Sequence, residues 1–176
     1  MANMYNLFKF IEDKRPEYRV PFKLKLLYEP ESITKEDLDV KGNLNLNNTS
    51  IRSLPDGLKV EGNLDLNDSQ IQSLPDGLEV RGDLYLGNTP IQSLPNGLKV
   101  GGSLNLNKTL IQSLPNDLKV GDSLNLNRTK IKSLPNNLKV RGSLGLYNTP
   151  LSKKYATKEE LKAKYPDLKV KGKIYL

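Results

Sequence analysis

The chain is 176 residues long, with 27 basic and 20 acidic side chains, no Cys and no His. The length allows one domain. The lack of Cys excludes disulfides and thiol chemistry, and the lack of both Cys and His removes the usual metal-site and nucleophile–base constellations. The net charge of +7 is unevenly spread: residues 1–37 hold seven basic and seven acidic side chains, residues 38–97 four and eight, and residues 98–176 sixteen and five.

Residues 1–37 contain all three Phe and three of the eight Tyr. Met4, Tyr5, Leu7, Phe8, Phe10 and Ile11 predict a short helix of about two or three turns, broken at Arg15-Pro16. Phe22-Lys23-Leu24-Lys25-Leu26 alternates like a strand, with Leu27 and Tyr28 continuing apolar. Ser32 or Thr34 is placed to cap a brief helical turn through Lys35, Glu36 and Asp37. The segment reads as an end cap for the repeated region that begins at residue 38; a separate effector segment is the alternative. No stretch approaches the length of a membrane span. The N-terminal MANMYNLFKFIEDK lacks the basic start and long apolar region of a secretion signal. The expectation is therefore a cytoplasmic protein, of the encoding cell or of an infected host. Small size and an Asn/Lys-rich composition fit a bacterial, phage or large-virus product.

From residue 38 the sequence repeats. Residues 58–77 read LKVEGNLDLNDSQIQSLPDG and residues 78–97 read LEVRGDLYLGNTPIQSLPNG. The units are 38–57, 58–77, 78–97, 98–117, 118–137 and a sixth from 138 that breaks after Leu151; LKVKGKIYL at 168–176 restarts the pattern. A fixed period near twenty is the signature of a solenoid. Within a unit Leu58, Val60, Gly62, Leu64 and Leu66 alternate with polar residues, the period of extended chain with one buried face. A single unit has nothing to pack against, so stacked units must share one core, with Leu64 on Leu44 and Leu84. Ser69 and its equivalents Thr49, Thr89, Thr109, Thr129 and Thr149 predict a buried hydroxyl ladder bonded to backbone. Gly62 and its equivalents, with Asp122 the exception, predict a left-handed bend between a short outer strand (59–61) and a main strand (63–66). Ser73-Leu74-Pro75 turns the chain back.

The segment LDLNDSQI (64–71) resembles the LxLxxNxL core of leucine-rich repeats, with Ser or Thr at the Asn position. The resemblance covers residues 38–151 and 168–176. It implies a mainly β, leucine-rich-repeat-like solenoid of parallel strands. With strands on both sides in place of an outer helix, the solenoid is expected to be flatter and straighter than a horseshoe. The expected organisation is an N-terminal α/β cap (1–37), regular repeats (38–152), and a short C-terminal helix with a last strand (153–176), in one cooperative unit. Thr157-Lys158-Glu159-Glu160 has the spacing of a capping box opening that helix. It runs to about Lys164, is stopped by Tyr165-Pro166, and is followed by a strand over 172–176.

Two surfaces result from the register. On the main strand the outward positions are small and amide-rich, among them Asn105, Asn107, Asn125 and Asn127, with Tyr85, Tyr147 and Tyr175 on the same face. These amides either bond one another along a ladder and finish the rungs, or form a flat recognition sheet with Tyr as anchors. On the outer strand Lys119, Lys139 and Lys169 share one column, and Arg141 and Lys171 the column two residues on. These cations either solubilise the solenoid or meet an anionic partner.

The expected function is a non-enzymatic protein-binding module, an interaction or inhibitor protein, using the flat repeat surface. No cofactor, metal or membrane association is expected. The alternative is binding of nucleic acid or another polyanion through the basic C-terminal half; a third reading is self-assembly by strand edges. The final strand is expected to leave an edge for antiparallel pairing with a second copy, though Lys169, Lys171 and Lys173 oppose this and slightly favour a monomer.

Overall fold

The computed structural model describes residues 7–15 and 17–176. Met4 and Tyr5 of the first expected helix, and Pro16, lie outside the described residues. The molecule is a mainly β parallel solenoid with short helices toward each end. Each rung contributes two short strands, such as Lys59–Val60 and Leu64–Asp65. Among the described residues they assemble into two seven-stranded parallel sheets, each running in rung order. The outer sheet runs from Asp39–Val40 to Lys169–Val170, the main sheet from Leu44–Asn45 to Ile174–Tyr175.

Register is set by the repeat. Leu64 pairs with Leu44 and Leu84, and Val60 with Val40 and Val80. Leu64, Leu66, Ile71 and their successors up to Leu146 form one continuous buried column between the two sheets. A buried Leu or Ile is worth about 1.5–3 kcal/mol over an exposed one, and every rung supplies the same set. The energy is therefore spread evenly along the axis.

Polar groups close each rung. Thr49, Thr89, Thr109, Thr129 and Thr149 donate from Oγ1 to the carbonyl three residues earlier, at 2.6–2.8 Å. The hydroxyls thus bond backbone within their own rung, as buried polar groups must; at Leu106 and Leu126 the same carbonyl also accepts the Thr N–H. Ser69 is the odd member. It is buried, yet its Oγ has no partner. Ser69→Thr is expected to lock the rotamer that makes the missing bond, with the methyl group fitting as it does in the other rungs. It should stabilise by about 1 kcal/mol, raising the melting midpoint by about 2–4 °C. An unchanged or lower midpoint in differential scanning calorimetry would contradict this account.

The Gly62 column does not carry the left-handed bend. Left-handed backbone falls instead one residue before the hydroxyl, at Asn48, Asp68, Asn88, Lys108, Arg128 and Asn148, with φ between 52° and 60°. Glycine at 62 answers a close approach. A Cβ there would lie 2.3 Å from Asn43 Oδ1 and 2.8 Å from the Gly42 carbonyl carbon. Backbone stacks directly on backbone here, with Gly62 N donating to Gly42 O at 3.1 Å. Asp122 makes the same bond to Gly102 O at 3.0 Å.

The cap is helical among the described residues, not α/β. Helix α1 spans Leu7–Lys14 and α2 spans Phe22–Tyr28. The strand expected over 22–26 is therefore corrected. Alternation would have put Phe22, Leu24 and Leu26 on one face. The helix instead turns Phe22, Leu26 and Leu27 to the core, exposes Leu24, and buries Lys25. Lys25 Nζ donates to Glu12 Oε2 at 2.8 Å and Asp37 Oδ2 at 2.9 Å. Tertiary charge pairing thus overrides the local pattern. The expected turn at 35–37 is a 3-10 turn, Glu36–Leu38. Capping runs in the reverse sense: Thr34 donates from N and Oγ1 to Asp37 Oδ2.

Past the sixth rung the chain forms α3, Pro150–Lys154, which the sequence reading missed, and α4, Lys158–Lys164. Thr149, still bonding Leu146 O, also caps α3 by accepting from Ser152 N. Thr157 caps α4, accepting from Glu160 N at 3.2 Å, and Leu161 and Tyr165 seat it on the core. The last strand is shorter than expected, Ile174–Tyr175. No described helix is long and apolar enough to cross a membrane.

Candidate functional site

The main-sheet face is built by side chains between the buried leucines. Its polar residues bond the backbone, and not chiefly one another. In the first column, Asn43 Oδ1 accepts from Asn63 N, Asn63 Oδ1 from Asp83 N, and Asp83 Oδ1 from Ser103 N, at 2.7–2.8 Å. Serine hydroxyls continue this role at Ser123 and Ser143. In the next column, Asn105 Oδ1 accepts from Asn107 N and Asn125 Oδ1 from Asn127 N, both at 3.0 Å. Where that column carries no Asn or Asp, the rung below substitutes. Asn67 Oδ1 takes Gly87 N under Tyr85, and Asn127 Oδ1 takes Tyr147 N beside Gly145.

This accounting turns the carboxamide oxygens toward the sheet. The Nδ2 donors of Asn105, Asn125 and Asn127 make no hydrogen bond among the described residues, so the face presents amide donors to its surroundings. The three expected Tyr differ. Tyr147 and Tyr175 are 57% and 52% exposed. They lie on neighbouring rungs, Tyr175 in register with Gly145 and Tyr147 two residues past it. Tyr85 is half-buried, and its hydroxyl donates to Asp83 Oδ2 at 2.7 Å. That bond, then burial, raises its pKa above the ordinary phenol value. Tyr85 is thus tied into the sheet and does not project. Asp65 and Asp83 are likewise used: Asp65 accepts from Asn67 N and Asn47 Nδ2.

The outer-sheet face lies on the opposite side of the core. Lys119, Lys139, Arg141, Lys169 and Lys171 are all exposed there. Lys139 pairs in register with Lys169, and Lys99 with Lys119. None of these five has a carboxylate within salt-bridge distance among the described residues, whereas Lys41, Arg81 and Lys99 do. Beside Lys119, Lys139 and Arg141 lies an open depression of about 490 Å³, floored by Gly101 and Gly121. Sequence reading had tracked the cations and overlooked these glycines. The signal was the interruption of the column Lys41, Glu61, Arg81, Arg141, Lys171 by two residues without side chains.

No protein-family model matches the chain, and no curated protein sequence is significantly similar to it.

Proposed function

We propose that the chain is a non-enzymatic binding module of leucine-rich-repeat type, and that its main-sheet face docks another protein. The repeat supports the family reading: Leu64, Leu66, Ser69 and Ile71 are all buried at the motif positions. In the Thr rungs the hydroxyl at the motif's polar position bonds a backbone carbonyl. The observation that carries the docking reading is the orientation of the amides. Their oxygens are spent on the sheet and their Nδ2 donors on Asn105, Asn125 and Asn127 are left without partners among the described residues, on the rungs that lead to the exposed rings of Tyr147 and Tyr175. A flat array of donors flanked by aromatic rings suits the carbonyl-rich surface of a folded partner, where Tyr is enriched among the energetic centres.

The test is photo-crosslinking from the position of Asn125, followed by calorimetry with the captured partner. The double variant Tyr147→Ala, Tyr175→Ala should weaken that complex by about 2 kcal/mol or more, as expected for hot-spot rings, with no change in melting because both rings are exposed. Unchanged affinity in the double variant would overturn the assignment of this face.

A further inference from the structure

The outer sheet shows how this fold handles its own charge. In the first three rungs the two outward positions alternate in sign, both along and across the strands. They read Asp39 and Lys41, then Lys59 and Glu61, then Glu79 and Arg81. Every charge there has opposite neighbours, and all but Lys59 make a contact within salt-bridge distance once Lys99 is included: Lys41 Nζ lies 2.7 Å from Asp39 and 3.3 Å from Glu61, and Arg81 Nη1 3.3 Å from Glu61. Lys99 closes the pattern against Glu79 at 3.6 Å. Beyond it the alternation stops. The next rungs carry Lys119 with Gly121, Lys139 with Arg141, and Lys169 with Lys171. Like charges stand opposite one another on adjacent strands about 4.8 Å apart, an arrangement that destabilises a sheet.

We propose that these last rungs form a second binding surface, which takes the phosphate backbone of double-stranded nucleic acid. One chain displays both arrangements on the same sheet, so the fold does not require the uncompensated one. Charge complementarity specifies a polyanion. Cations two residues apart on a strand are about 6.6 Å from each other, and they repeat on successive rungs as two parallel rows, suited to a regular line of phosphates. A Cβ at Gly101 or Gly121 would meet the rung below, 2.1 Å from Arg81 O and 1.8 Å from Gly101 O; glycine answers that close approach and leaves the surface beside Lys119, Lys139 and Arg141 free of side chains there. Among the described residues no aromatic side chain lines the depression beside these cations to stack an unpaired base, which single-strand binders use. The apolar residues that line the depression, Val100, Leu118 and Val120, are themselves buried in the core and offer little surface to the side chains of an acidic peptide; its one carboxylate is Asp117. Contacts to phosphate position a duplex without reading its sequence, so binding should be indifferent to base order.

The test is fluorescence anisotropy with a labelled 20-base-pair duplex across 50–200 mM salt. Five phosphate contacts predict a log–log slope near −4.5, a loss of about 500-fold in affinity over that range. Two sequences of different composition should bind alike. The triple variant Lys119→Glu, Arg141→Glu, Lys169→Glu extends the alternating pattern through the last rungs. It should lose duplex binding by at least about 100-fold while melting no lower than the parent. Lys119→Gln, Arg141→Gln, Lys169→Gln should flatten the slope by about 2.7. The control Lys153→Glu, Lys158→Glu, Lys162→Glu makes the same charge change away from the outer sheet and should retain most of the binding. Equal loss in the control would reduce the effect to net charge and overturn the proposal. So would a triple variant that still binds, or poly-glutamate or phosphatidylserine vesicles bound as tightly as the duplex.

Discussion

Leu124→Asp is expected to abolish the cooperative unfolding transition of the solenoid, while Asn125→Asp, one residue on, leaves it nearly unchanged. Leu124 has no solvent exposure and sits in register between Leu104 and Leu144. Losing its packing costs about 2–5 kcal/mol. Placing a carboxyl group in the column adds several more, whether it stays charged or takes up a proton. The sum is comparable to the whole stability of a domain, about 5–15 kcal/mol. Rungs stabilise only through their neighbours, so the damage spreads in both directions. At Asn125 the substituted oxygen can still accept from Asn127 N, as Asp65 does from Asn67 N. Circular dichroism on heating reads both variants. A Leu124→Asp protein with an unaltered transition would show that the column is not the core.

Lys25→Ala is expected to destabilise the cap by about 3–5 kcal/mol at neutral pH, the usual consequence of removing one partner from a buried ionic group. Lys25 is 1% exposed between Glu12 and Asp37. Burial pushes its pKa down, but the hydrogen bonds and charges of Glu12 and Asp37 outweigh this and hold it above the ordinary lysine value. Burial likewise pushes Asp37 up, and the Thr34 N–H and Lys25 outweigh that to hold it below the ordinary carboxylate value. Linkage gives the signs. The contribution of Asp37 is present above about pH 3.9 and is lost as pH falls through its lower folded value. That of Lys25 is present below about pH 10.4 and is lost as pH rises through its higher folded value. The stability gap between parent and variant should therefore be widest near neutrality. It should narrow in strong acid, where protonation of Asp37 relieves the unpaired charge left in the variant. Urea titrations at about pH 2.5, 7 and 11, below and above the two windows as well as between them, measure it. A gap that is constant with pH would mean that Lys25 acts by packing alone, and Lys25→Met would then restore the parent stability.

Particular residues show where sequence reading succeeded and where it did not. The alternation of Leu58, Val60, Leu64 and Leu66 placed four columns of the core, because a side-chain period of two with one buried face admits a single register. Thr157 with Glu160 announced α4, because a cap is a local contact. The Gly62 column was recognised as special for the wrong cause. Glycine serves both left-handed turns and close backbone approach, and a linear sequence does not separate these. The left-handed site at Asn48, Asp68 and Asn88 carried its own signal in Asn and Asp, but Lys108 and Arg128 obscured it. At the candidate site, the face and its columns were legible, whereas the direction of each carboxamide was not. Whether Asn127 bonds Tyr147 N or leaves it free depends on a residue of the adjoining rung.

The order of residues alone specifies the solenoid, its period and its inward side chains, because these depend only on local alternation repeated at constant length. It also determined the concentration of basic charge toward the C-terminal half. The helical state of Phe22–Tyr28 follows from contacts in the completed fold, where the ionic group at Lys25 joins residues 12, 25 and 37; the fold also holds the remaining differences. It alone decided that Tyr85 is held by Asp83 while Tyr147 and Tyr175 stand free. It also set the alternating charges of the first three rungs against the uncompensated ones of the later rungs. Each of these depends on a partner distant in sequence or on a side chain's choice among several acceptors, and that choice is made by what the completed fold places beside it.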